Sequence, residues 1–221
     1  SVETQYLDPV SFVPNGRCRF ELDGDKMAYN SNMRLLDLGI VSNGAHNYSR
    51  GLGSLATIKS MRLLDGRAEL AAIRNPAPYL FYSNARRGNA INKSSDSYLK
   101  RNSLGMEINS IDNKLHHEYP SGGVTNNVAT TNLGYLDLRE VFPILNVVSV
   151  LPVQIFRNLV VEIEFDSTLA NQILTDITGA ITVQRPILAV DHIDNAVLVN
   201  TVIDELNGQG QTYDNIEWDN F

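Results

Sequence analysis

The stretch Leu133–Phe165, LGYLDLREVFPILNVVSVLPVQIFRNLVVEIEF, decides how this chain is read. It opens strand-like, then enters an amphipathic turn in which Leu138, Val141, Phe142 and Leu145 recur at i, i+3, i+4 and i+7. Asp137 stands where it can cap that turn. A loop bounded by Pro143 and Pro152 follows, and then a β-branched strand ending Val160-Val161-Glu162-Ile163-Glu164-Phe165. A helical turn inserted among strands predicts a sheet scaffold, with the apolar turn serving as a packing or subunit-contact element.

Composition bounds what that scaffold can be. With 221 residues and 43% hydrophobic content, the chain can bury a real core and reads most simply as one large domain. Eighteen basic against twenty-five acidic residues leave a net charge of -7, which opposes a dominant role in neutralising phosphate or anionic lipid. Nucleic acid is therefore not expected as a direct ligand. The single cysteine, Cys18, rules out an intrachain disulfide and a zinc site built from several thiolates, and fits a reducing compartment. No run of about 18 apolar residues is present to span a bilayer. The stretch Val141–Val153 is broken by Pro143, Asn146 and Pro152, and no secretory signal is visible at the start.

Working outward, Gly16–Leu22 alternates Cys18, Phe20 and Leu22 with Arg17, Arg19 and Glu21, which predicts a strand with one buried face. Asp23-Gly24-Asp25 is a turn signal, and Met33–Ile40 supplies the next apolar run. SLATIKSMRLLDGRAELAAI, from Ser54, reads as a hairpin about Asp65-Gly66. Its second arm, Arg67–Ile73, has helix-favouring composition in a strand position. Asn75–Tyr119 reads as a long connecting excursion that serves contacts, and Asn127–Leu138 is strand-like. In AITVQRPILAVDHI, Pro186 predicts an edge strand or two short strands. Asp194–Leu206 reads as a helix started by an Asn or Asp cap, in preference to a further strand through Ala196-Val197-Leu198-Val199. Residues 1–206 form the expected domain and 207–221 an acidic tail or linker, whose Trp218 and Phe221 can anchor it on something else.

The candidate chemistry is sparse. His116, His117 and Glu118 are adjacent, so on a strand or a helix they point apart and cannot converge on a metal. Asp191-His192-Ile193-Asp194 has the composition of an acid–base pair or a metal site, but turn and capping roles explain both aspartates. Arg50-Gly51-Leu52-Gly53-Ser54 lacks the third glycine and the Gly-Lys-Ser/Thr ending of a phosphate-cradling loop. Neither Ser54 nor Ser103 stands in a nucleophile elbow. Cys18 falls on the apolar face of its strand and reads as a buried structural thiol. Arg86, Arg87, Lys93, Lys100 and Arg101 read as a solvated loop. No catalytic, cofactor-binding or metal-ligating residue is expected, and the chain is not expected to be an enzyme.

The order of elements resembles the jelly-roll domains of the double-jelly-roll major capsid protein lineage of DNA viruses, which includes adenovirus hexon and virophage or polinton-type capsid proteins. The resemblance rests on the strand after Pro14-Asn15-Gly16, the GLGSLATIKSMRLLDGR hairpin, YLDLREVFPILN with LPVQIFRNLVVEIEF behind it, and the late ITVQRPILAV strand. These segments span about two thirds of the chain, and none is a short diagnostic signature. The resemblance implies an all-β fold, a jelly-roll β-sandwich of two antiparallel sheets with short helical inserts. It also implies a viral capsid structural protein that self-assembles into trimeric or pentameric capsomers of an icosahedral shell, with other capsid proteins as partners. The place of action would be the virion, assembled in a host cell. Double-jelly-roll proteins hold two such domains, whereas this chain accommodates one, as a single-jelly-roll protein or as one part of a larger polypeptide. Expected subunit contacts are Val141, Phe142, Leu145, Tyr79, Phe81, Tyr82, Trp218 and Phe221. The competing class is a lectin-like β-sandwich using Tyr79, Phe81, Tyr82 and Tyr98. A cupin-like enzyme comes third, since four scattered histidines give a converging metal site little support.

Overall fold

A computed structural model describes residues 1–42, 47–48, 55, 57–80, 119–120, 134–166, 181–209 and 216–218. In chain order the strands are β1 (Val2–Leu7), β2 (Ser11–Phe12), β3 (Arg17–Glu21), β4 (Ala28–Asn30), β5 (Arg34–Leu38), β6 (Ile40–Ser42), β7 (Asn47–Tyr48) and β8 (Ile58–Asp65). They continue with β9 (Ala68–Arg74), β10 (Tyr119–Pro120), β11 (Gly134–Asp137), β12 (Val150–Pro152), β13 (Leu159–Phe165), β14 (Ile181–Val183), β15 (Ile187–Ile193) and β16 (Ile216–Trp218). Helices include α1 (Ile144–Val147) and α2 (Ala196–Gln209), residues 76–80 are helical as well, and a 3-10 turn covers Leu138–Glu140.

In the first sheet β1 pairs with β15, β15 pairs on its other side with β4 and β5, and these pair with β12 and β11. Since β4 and β5 continue one another, as do β12 and β11, the sheet has four rows. The second sheet runs β2, β3, β13, β8, β9, β16, antiparallel except for the β9–β16 edge. Counting β4/β5 and β11/β12 as single rows and leaving out the short β2, β6, β7, β10, β14 and β16, the first, eighth, third and sixth rows of the chain make one sheet. The second, seventh, fourth and fifth make the spine of the other. That interleaving of two Greek keys is the order of a jelly roll.

The alternation expected of half-buried strands sets the core. In the second sheet the register lines up Phe20, Val161, Leu63 and Ala71 in one row and Cys18, Ile163, Met61 and Ile73 in the next; each is at most 1% exposed. Facing them, the first sheet lines up Leu7, Leu188, Leu35 and Leu136. Both sets belong to one continuous apolar cluster, as a sandwich requires. Phe12 closes one side with its ring edge-on to Phe165, centroids 6.1 Å apart at 84°.

The deciding stretch of sequence occupies an interruption in the first sheet. Row β4/β5 breaks at 31–33 and row β11/β12 breaks beside it, and the backbone of Leu138 donates to Met33 O (2.9 Å) while Ser31 donates to Ser149 O (3.0 Å). Asp137 caps the 3-10 turn, accepting from Arg139 N at 3.0 Å. Leu138, Val141, Phe142 and Leu145 all enter the main core.

Arg67–Ile73, ambiguous by composition, becomes a strand because the hairpin imposes it. Asp65 pairs with Ala68 across the two residues Gly66 and Arg67, and Gly66 at φ +61° takes the left-handed first position of a II′ turn. Pro186 does divide its segment into β14 and β15. The edge placement is corrected, however: β15 lies inside the sheet, because the N-terminal strand β1 covers its flank. Asn195 caps α2, its Oδ1 accepting from Leu198 N at 3.2 Å. Strand β16 falls within the segment read as a tail. Most of the 75–119 excursion lies outside the described residues.

Antiparallel strands alternate direction, so the connections sort by end. Residues 22–27, 66–67 and 153–158 turn at one end, knitted by Leu22 N to Leu159 O, Gly66 N to Asn158 O and Val153 N to Met27 O. Connections 8–16, 39–57, 75–133 and 166–186 all leave at the opposite end. There β6 pairs with β14 and β7 with β10, so these long connections are tied to one another.

Two outcomes follow from this packing. Phe142→Ala should lose about 3–5 kcal/mol of unfolding free energy in urea, because a ring with no exposed surface leaves a cavity. Burial pushes the Cys18 thiol up to about 12; a thiol reagent at pH 8 should therefore leave it untouched in native protein and modify it fully in guanidinium.

Candidate functional site

The surfaces of the sandwich differ in chemistry. On the outer face of the second sheet, neighbouring strands oppose Arg19, Glu162 and Arg62 in one row and Arg17, Glu164 and Ser60 in the next. Arg62 pairs with Glu162 and reaches Glu69 at 3.7 Å, and Lys59 reaches Glu164 at 3.3 Å. Opposite charges facing across strands make this a solvated, self-satisfied face. The Lys59 hydrogen bond, with lesser help from Ser60, holds the Glu164 carboxyl below the usual carboxylate range.

The outer face of the first sheet is divided. At the short-turn end, α2 lays Val199, Val202 and Ile203 over Ala28, Val150 and Ile193. Farther along, Asp191 accepts from Thr4 Oγ1 (2.6 Å), Arg34 (3.2 Å) and Asn32 Nδ2 (3.4 Å). Its neighbour His192 points to the other face, where Nε2 lies 3.3 Å from Glu3. The strand pleat separates Asp191 from His192, so they cannot work as an acid–base pair. Asp191 instead ties β1, β15 and β5 together. Among the described residues no group of three or more His, Cys, Asp or Glu side chains could hold a metal ion. No helix among them is long and apolar enough to cross a membrane.

Of the residues expected at subunit contacts, Val141, Phe142 and Leu145 are at most 1% exposed. Their apolar surface is spent inside this chain, where they pack rather than face a neighbour. Tyr79 is partly buried against the same core. Trp218 lies on β16, its backbone paired beside Ile73. Phe81, Tyr82, Tyr98 and Phe221 lie outside the described residues, as do His46, His116, His117 and Glu118. So do the 50–54 loop, Ser103 and the basic residues of the excursion.

The apolar groups the described surface does expose lie elsewhere. Val2, Tyr6, Val10 and Val13 are each about 60% exposed or more, and they are half of the exposed large hydrophobics among the described residues, the others being Val147 and Val197 and the less exposed Met27 and Leu198. The first thirteen residues also form the outermost strand of both sheets, β1 in one and β2 in the other. Sequence reasoning passed over this segment, although Val2, Thr4 and Tyr6 alternate with no Gly or Pro between them, which is a strand signal.

No protein-family model matches the sequence, and no curated protein does. Among solved structures the chain is similar in fold to a quasi-atomic model of the PBCV-1 virus capsid, at 9% identity and a TM-score of 0.48, covering 91% of this chain and 45% of that one. It is similar to the crystal structure of the STIV MCP at 8% identity and a TM-score of 0.44, covering 88% and 49%. It is also similar to PBCV-1 VP54 fitted into a cryo-EM reconstruction of the virophage Sputnik, at 8% identity and a TM-score of 0.47, covering 91% and 45%. The chain thus spans about half the length of these structures.

The charged face has a testable pH signature. A carboxyl whose folded pKa is depressed contributes stability above its unfolded value and loses it as pH falls through the folded one. Glu164→Gln should therefore lower stability at pH 7 by under about 1 kcal/mol, because the pair is exposed. The variant and the parent should converge in denaturant midpoint as the pH is taken below the usual carboxylate range.

Proposed function

We propose that this chain is a viral capsid structural protein whose activity is assembly, and that it acts as a rigid wedge in the capsomers of an icosahedral shell. The observation that carries the reading is the polarity of the jelly roll. Short, cross-bonded turns and the α2 segment close one end, while connections 8–16, 39–57, 75–133 and 166–186 leave at the other. A shell tile needs a stiff body whose flanks abut neighbours and a separate end free to elaborate an outer or inner surface, and this chain divides those roles along its strands. Jelly rolls also serve lectins and cupins, so fold alone does not choose. Against a glycan platform stands Tyr79, which is partly buried against the core.

In this reading the capsomer is a trimer or pentamer, its partners are further copies and other capsid proteins, and its place is the virion. Light scattering of purified protein should give one discrete oligomeric mass, and electron micrographs should show threefold or fivefold particles. A chain that stays monomeric at high concentration and forms no particles would overturn it.

A further inference from the structure

We propose that the open edge of β1 pairs antiparallel with β1 of a second copy of this chain, about a two-fold axis at Thr4, so that the sheet runs on from one subunit into the next. The argument begins with hydrogen-bond parity. Ser1 and Asp194 exchange both backbone bonds, each 3.1 Å. In an antiparallel ladder doubly bonded pairs alternate with unbonded ones. Counting along the register from Ser1, residues Glu3, Gln5 and Leu7 bond to His192, Val190 and Leu188. Val2, Thr4 and Tyr6 consequently turn their N–H and C=O groups away from β15, toward the edge that no described strand occupies. The same three residues carry exposed side chains, Val2 at 65% and Tyr6 at 67%.

This edge lacks most of the usual protections, its one charge being Glu3, which lies beside His192. β1 holds no Lys, no Pro and no bulge, and its register to β15 is unbroken. Its pattern is also complementary to itself. With Thr4 opposite Thr4 of the copy, Val2 faces Tyr6 and Tyr6 faces Val2, and each of these pairs joins outward-directed groups that close two hydrogen bonds. The apolar pairs combine a β-branched with an aromatic side chain, a favourable cross-strand match. Glu3 then faces Gln5, with no like charges opposed.

Neighbouring registers do worse. Sliding by one residue at each strand sets Glu3 against Glu3 in one direction and Val2 against Asp8 in the other, and an odd slip faces bonding groups with non-bonding ones. The contact is isologous, so it closes at two copies. It is distinct from the head-to-tail contacts of a trimer or pentamer and does not rest on the capsid reading.

The test is symmetric disulfide trapping on the full chain, read on non-reducing gels after mild oxidation. Cys18 is fully buried, so the parent serves as the blank. Thr4→Cys should form a covalent dimer, since paired residues in this ladder stand about 5.5 Å apart at Cα, within disulfide reach. Val2→Cys alone and Tyr6→Cys alone should stay unlinked, whereas the two mixed should link. V2K/Y6K should lower the mass of the sedimenting species while leaving the subunit folded by circular dichroism, because both positions are exposed. The proposal is overturned if Thr4→Cys links no more than the parent, or if all three single variants link equally, as random collision would give. Particles that form with Thr4→Cys unlinked would end this pairing and leave the capsid reading standing; linked dimers that never build particles would do the reverse.

Discussion

Strand β13 is the constraint on which the rest depends. It lies between β3 and β8, and its Val161 and Ile163 stand at the centre of the two apolar rows that cross the second sheet. Burying such a row yields roughly 25 cal/mol per Å² of apolar surface, and only a second sheet about 10 Å away can supply the other wall. Leu7, Leu188, Leu35 and Leu136 are that wall. Once the two faces meet, chain direction alternates strand by strand, so successive connections fall at alternate ends of the sandwich.

The helical insert shows how the sandwich tolerates a broken row. Two neighbouring rows lose their ladder at the same level, which would leave backbone groups unpaired and a gap in the wall. The 3-10 turn, α1 and the bonds from Leu138 to Met33 and from Ser31 to Ser149 recover the backbone groups. Phe142 and its neighbours fill the volume. Apolar side chains consumed in this way are unavailable to a partner, and this moves the search for contacts from the insert to the rim. There the N-terminal segment is the outermost described strand of both sheets and exposes valines and a tyrosine. The opposite face, laced with Arg, Lys and Glu, has its charges already answered within the chain.

Much of this was legible from residue order. Alternation placed Cys18, Phe20 and Leu22 in the core, Asp65-Gly66 marked the hairpin, Asp137 marked a cap, and Pro186 marked a break. What local pattern could not convey was which strand neighbours which. β15 reads as an edge from its proline, yet it is flanked on both sides, because the strand that covers it lies at the far end of the sequence. Val141, Phe142 and Leu145 read equally well as packing or contact residues, since an apolar side chain carries no mark of which surface will cover it.

The sequence by itself determined the all-β class, the insert and the scarcity of His and Cys, because alternation, capping and turn chemistry are local properties and residue counts are compositional. Only the tertiary structure decided that the insert is interior, that Asp191 and His192 face apart, and that β1 is left with an open edge. Those outcomes depend on pairings between residues as distant as Thr4 and Asp191, and the pairing energy of a strand becomes defined only when its partner is beside it.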